Sequence, residues 1–90
     1  MIFGVYSIRD VKTGFLSPTF EINDQVAKRN FEYAVLNSDH SLFFTHPEDY
    51  SFYRLGSFNS ETGRFEADQL PELICDAASV FGLREKKGDA

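Results

Sequence analysis

One cysteine, Cys75, excludes an internal disulfide and leaves too few thiolates for a zinc cluster. Its apolar setting, "LICDAA", predicts a buried and inert thiol. No apolar run approaches the roughly 20 residues of a membrane-spanning helix. The start, "MIFGVYSIRD", lacks a basic stretch followed by a long apolar run, so no signal peptide is expected. The chain reads as a soluble protein of a reducing compartment. Cations are scarce, with nine Lys and Arg against 14 Asp and Glu and a net charge of −5. That balance disfavours duplex DNA held by bulk electrostatics, which needs a positive face. Arg84, Lys86 and Lys87 sit near the C-terminus, so the rest is more acidic still. A Gly-rich phosphate loop, a Ser-His-Asp arrangement and zinc-finger spacing are all missing. A non-enzymatic protein without cofactor or metal is expected.

Phenylalanine is what the chain has in excess: ten, beside four tyrosines and no tryptophan. Large rings let a short chain bury more apolar area per residue, so most of them should be core. Hydrophobic content of 42% with 26% charged residues excludes wholesale disorder. One domain over 1–83 with a polar tail over 84–90 is expected.

The stretch "IFGVYSIR" (2–9) is β-rich and apolar on both parities, the pattern of a central strand. "DVKTG" reads as a turn with Gly14 free to take positive φ. "FLSPTFEI" (15–22) resumes an extended chain, and Pro18 makes it an edge or bulged strand. The clearest helix covers 24–38, with Asn23 as N-cap and Asp24 in the first turn. Ala27, Phe31, Ala34 and Val35 form its apolar stripe. His40 falls in a loop before a strand-like run. Thr45 and Glu48 have capping-box spacing around Pro47, so "THPEDY" reads as a short helical turn. "SFYRLGSF" (51–58) is a strand, "NSETG" a hairpin loop ending on a left-handed Gly63, and "RFEA" (64–67) the returning strand. Pro71 opens a helix over 71–81, ended by Gly82. The predicted fold is α+β: a small antiparallel sheet of about four strands in two hairpins, packed by one clear helix and a C-terminal helix.

His46, Glu48 and Asp49 invite a metal, but three or four convergent donors are needed, and a capping turn explains them better. Single-stranded DNA asks for rings to stack on and cations to follow the backbone. Candidate rings are Tyr6, Phe15, Tyr53 and Phe65; candidate cations are Arg9, Lys12, Arg54 and Arg64. The site best placed by the two hairpins is Tyr6, Arg9, Lys12, Tyr53 and Arg54.

The segments "VYSIRDVKTGFLSPTF", "NDQVAKRNF" and "HPEDYSFYRLGSFNSETG" resemble the small non-structural protein of gokushoviruses, which are microvirus single-stranded DNA bacteriophages. The most specific part is His46 to Asp49 followed by Leu55, Gly56 and the Thr62-Gly63 turn. The resemblance implies a product of the infected bacterial cytoplasm, absent from the mature virion. It further implies a part in single-stranded genome synthesis and packaging, with some members labelled DNA-binding. No catalytic residue is implied. Two readings follow: a DNA-replication accessory protein that binds single-stranded DNA, or an adaptor docking on the replication initiator or procapsid without DNA contact. A homodimer is expected as cover for an exposed sheet edge.

Overall fold

Strand β1 (Ile2–Asp10) carries apolar residues at successive positions, and the computed structural model places it inside a sheet, as that pattern predicts. The structure describes residues 1–37 and 41–88. Strand β4 (Tyr50–Asn59) runs antiparallel along one side of β1, from Asn59 opposite Ile2 to Tyr50 opposite Asp10. The other side holds two short pieces, β2 (Gly14–Phe15) and β3 (Thr19–Glu21). They are the expected edge strand, interrupted around Pro18, which has no N–H for a ladder. Strand β5 (Arg64–Asp76) pairs with the far side of β4, so the order is β2-β1-β4-β5 with β3 also on β1. The fold is α+β around a curled antiparallel sheet.

Helix α1 (Asp24–Leu36) starts where its cap predicts: the Asn23 side chain accepts from the Val26 N–H at 2.8 Å. It ends at Leu36; Ser38 and His40, both assigned from the sequence, lie outside the described residues. Ala27, Phe31 and Val35 are buried, whereas Ala34, counted in the same stripe, is exposed. Three residues turn a helix by about −60° from Phe31, against about 40° for Ala27 and Val35, so Ala34 falls at the rim. Phe31 stacks on Phe52 of β4 (4.7 Å between centroids, 9° between planes), and Phe52 stacks on Tyr6 of β1 (5.6 Å, 14°). This three-ring pile, with Ala27, Val35, Tyr50, Ala77 and Val80 around it, is the core.

Four local expectations need correction. The strand-like run before His46 is a one-turn helix, α2 (Leu42–Thr45), closed by Thr45 N–H on the Ser41 carbonyl at 3.1 Å. Thr45 and Glu48 make no capping box, because the Thr45 hydroxyl donates to the Ser41 carbonyl and lies 2.9 Å from His46 Nδ1. Pro47 does open a turn, a single 3-10 turn over Pro47–Asp49. The segment after Pro71 is strand as far as Asp76, and the helix begins only at Ala77. The reason is tertiary: Arg54, Tyr53, Phe52 and Ser51 of β4 need ladder partners and find them in Glu72, Leu73, Cys75 and Asp76. Pro71 is tolerated because residues 68–71 form an excursion opposite Leu55, outside the paired positions. Helix α3 (Ala77–Gly88) then runs through Gly82, its expected stop, and buries Ala77 and Val80.

A second subunit was expected to cover an exposed edge of the sheet, and the outer side of β5 is one such edge. Pro71 and the carboxylates Glu66, Asp68 and Glu72 lie along that strand, the kind of residues that discourage edge pairing. At the β4–β5 hairpin, Gly63 has the predicted left-handed backbone (φ 74°) and donates its N–H to the Asn59 carbonyl at 2.7 Å. Gly63→Val is expected to cost about 1–3 kcal/mol, since a β-branched residue is strained there. A thermal melt indistinguishable from that of the parent protein would refute this.

Candidate nucleic-acid interface

The ladder register sorts the predicted site residues onto opposite faces of the sheet. Arg54 stands opposite Tyr6 and Phe52 opposite Ile8, on the face covered by α1. Tyr53 stands opposite Ser7, and Phe15 and Ser51 opposite Arg9, on the other face. The five residues therefore do not form one site.

Tyr6 is fully buried and is a core ring, not a stacking surface. Its hydroxyl donates to Asp24 Oδ1 at the start of α1. Burial, with the neighbouring Asp24 carboxylate, pushes its pKa from the ordinary value near 10 up to about 12. The folded state thus prefers the neutral phenol. The resulting stabilisation is fully present below pH about 10 and is lost as pH rises toward about 12, up to about 2–3 kcal/mol. Stability curves of the parent and Tyr6→Phe are expected to converge across that window; curves that stay parallel would overturn the assignment. Arg54 is also corrected. Its Nε meets Asp68 Oδ2 at 2.9 Å and its Nη1 meets Asp24 Oδ1 at 3.3 Å. With two carboxylates on it, this guanidinium ties β4 to α1 and β5 and has little charge to offer a phosphate. An open hollow of about 480 Å³ beside the start of α1 is lined by Asn23, Asp24, Gln25 and Arg54, so its one cation is already neutralised.

Arg9 and Tyr53 come together on the uncovered face. Tyr53 meets Phe15 edge-on, with centroids 5.5 Å apart. Lys12 is exposed in the turn between β1 and β2, its backbone N–H bonded to Asp10 Oδ1 at 2.8 Å. Further along the same face, Phe58 packs against Phe65 (4.7 Å) and Phe20 (5.3 Å). Phe20 stands opposite Val5, and Phe58 opposite Phe3, so all share the parity of Arg9. Phe20 and Phe58 were missed in the sequence, Phe58 because the register shift at Leu55 moves it off the face of Phe52, where simple alternation along β4 would put it. Phe15, Phe20 and Phe65 are 43%, 44% and 65% exposed, so their ring surfaces are open to a ligand.

Charge is sorted between the two faces as well. Asp10, Glu21, Glu66 and Glu72 stand opposite Tyr50, Gly4, Ser57 and Arg54, which puts all four carboxylates on the face of Tyr6. Of the residues in ladder register, the ring face carries two charges, Arg9 and Asp76, and Asp76 Oδ1 accepts from the Ser51 hydroxyl at 2.8 Å. In a chain of net charge −5 this is a selective clearing of acids from an aromatic surface.

His46, Glu48 and Asp49 do not converge, and among the described residues no three His, Cys, Asp or Glu side chains are placed to hold a metal ion. Cys75 is half-buried, and burial pushes its thiol up to about 11, so it holds little of the nucleophilic thiolate at neutral pH. Among the described residues no helix is long and apolar enough to cross a membrane.

The family model for the Phage ORF5 protein matches residues 3–80. The chain belongs to that phage protein family. The match takes in α1, the whole ring face and every strand except Ile2, the first residue of β1. Among curated proteins and among solved structures nothing matches.

Proposed function

We propose that this phage protein is a non-enzymatic accessory factor of the gokushovirus type, acting in the cytoplasm of the infected bacterium and outside the mature virion. On this reading it assists synthesis or packaging of the single-stranded genome by laying single-stranded DNA across the ring face. The observation that carries the reading is the pairing of five rings with an almost acid-free surface. Bases of any sequence stack on such rings, and Arg9 and Lys12 follow the phosphates. The clearing of carboxylates is what lets a chain of net charge −5 accept a polyanion at all. Binding is then weak, sequence-tolerant and strongly salt-dependent.

Fluorescence anisotropy of a labelled oligonucleotide at low and physiological salt tests this. Replacing Arg9 by Ser is expected to reduce the salt slope by about 0.7, the contribution of one phosphate contact on a single strand. Arg54→Ser is expected to lower stability and leave the slope unchanged, because its charge is already paired. No binding at low salt would sink the DNA reading. The adaptor reading would then take its place, favoured by Leu73, half exposed and in ladder register with Tyr53 on the same face. A protein partner of this kind would cover the rings without any dependence on phosphate.

A further inference from the structure

The rings of the uncovered face are not one continuous surface. Phe15 and Tyr53 form one group, and Phe20, Phe58 and Phe65 form another. The register measures the gap between them. Tyr53 stands opposite Ser7 and Phe58 opposite Phe3, four residues further along β1. At about 3.3 Å per residue Tyr53 and Phe58 lie about 13 Å apart along β4, while Phe20, opposite Val5, is two residues from the level of Tyr53 but on the far side of β1. Between Tyr53 and Phe58 the ring face of β4 has only Gly56, opposite the buried Val5, so that strand offers no ring there. Beside the second group, Val5, Leu55, Gly56, Phe65 and Ala67, with Ser57 and Glu66, line a hollow of about 150 Å³.

We propose, resting on the single-strand reading above, that this face grips one DNA strand at two separated points and leaves the bases between them unstacked. Neighbouring bases of a stacked strand lie about 3.4 Å apart, so a dinucleotide reaches one ring group only. A tetranucleotide has three steps to cover about 13 Å, or roughly 4 Å per step, slightly more open than stacked. The shortest ligand that engages both groups is therefore about four nucleotides. The second contact, once the first is made, is intramolecular and benefits from the high effective concentration of a short linker.

The test is competition of dT2, dT4, dT6 and dT8 against a labelled dT8 at low salt, using the full chain. Affinity is expected to jump at least tenfold from dT2 to dT4, in line with one more stacked base, and to change only a few-fold from dT4 to dT8. A tetranucleotide abasic at its two inner positions is expected to keep the gain, and one abasic at both ends to lose it. Phe65→Ala, at a ring mostly exposed and so tolerated by the fold, is expected to reduce dT4 to the affinity of dT2. Phe15→Ala is expected to do the same from the other end, with thermal melts confirming that both variants fold. Affinity that grows evenly with length, or a jump that survives both substitutions, overturns the two-point grip and leaves the single-strand reading standing. Failure of dT8 itself to bind overturns both.

Discussion

Phe31→Ala is expected to destabilise the protein by about 3–5 kcal/mol, the range for truncating a buried aromatic side chain. Phe31 is the outer member of the pile Phe31–Phe52–Tyr6, and it is the ring by which α1 grips the sheet. Removing it strips one face of Phe52 of its partner and leaves a cavity that Ala27 and Val35 are too short to fill. A 90-residue domain has a total stability of about 5–13 kcal/mol, so the loss is a large fraction of it. In a melt the midpoint should fall by at least about 12 °C, at roughly 4–8 °C per kcal/mol for a domain of this size. Phe65→Ala is the control, because Phe65 is mostly exposed and contributes little to the core. A loss below about 1 kcal/mol for Phe31→Ala would mean that the pile does not hold α1 in place.

The features that local chemistry determines are legible in the sequence. Asn23 as cap, the Ala27–Phe31–Val35 stripe, the break at Pro18 and the positive φ of Gly14 and Gly63 all follow from single residues and their spacing. The largest misreadings are those that depend on a distant partner. Leu73, Ile74, Ala77 and Phe81 fit a helical period, yet Leu73 is held in a strand by Tyr53, some twenty residues earlier in the chain. No local window contains that pairing. The candidate site failed for a related reason. β1 is apolar on both parities, so its sequence does not say which parity faces α1, and Tyr6 and Arg9 look equally available. Once Phe31 and Asp24 of α1 settle on the even face, Tyr6 becomes core and Arg54 becomes a clamp. Arg9, Phe15, Tyr53 and Phe65 then share the open face by register alone.

Gly56→Ala is the second large effect expected, and its cause is backbone rather than cavity. Gly56 is buried in β4, where β5 resumes pairing beyond its excursion, with Ala67 as its partner. A Cβ at this position would collide with the Glu66 carbonyl oxygen and stand 3.0 Å from the Ala67 Cα. Neither obstacle is the movable end of a side chain. Strand β5 must therefore shift away from β4, which disturbs the pairing of Ser57 with Glu66 and Phe58 with Phe65. Overpacking of a tight site costs about 1–3 kcal/mol and occasionally more, and a backbone obstacle belongs at the upper end. A loss of about 3 kcal/mol or more is expected, lowering the melting midpoint by roughly 12–24 °C. The same shift would carry Phe65 away from Phe58 and Phe20, so the second ring group should come apart in whatever fraction stays folded. Amide exchange across 64–67, faster in the variant while α1 stays protected, would report that local loss. A Gly56→Ala protein with parental melting and parental exchange would show that β4 and β5 do not approach this closely.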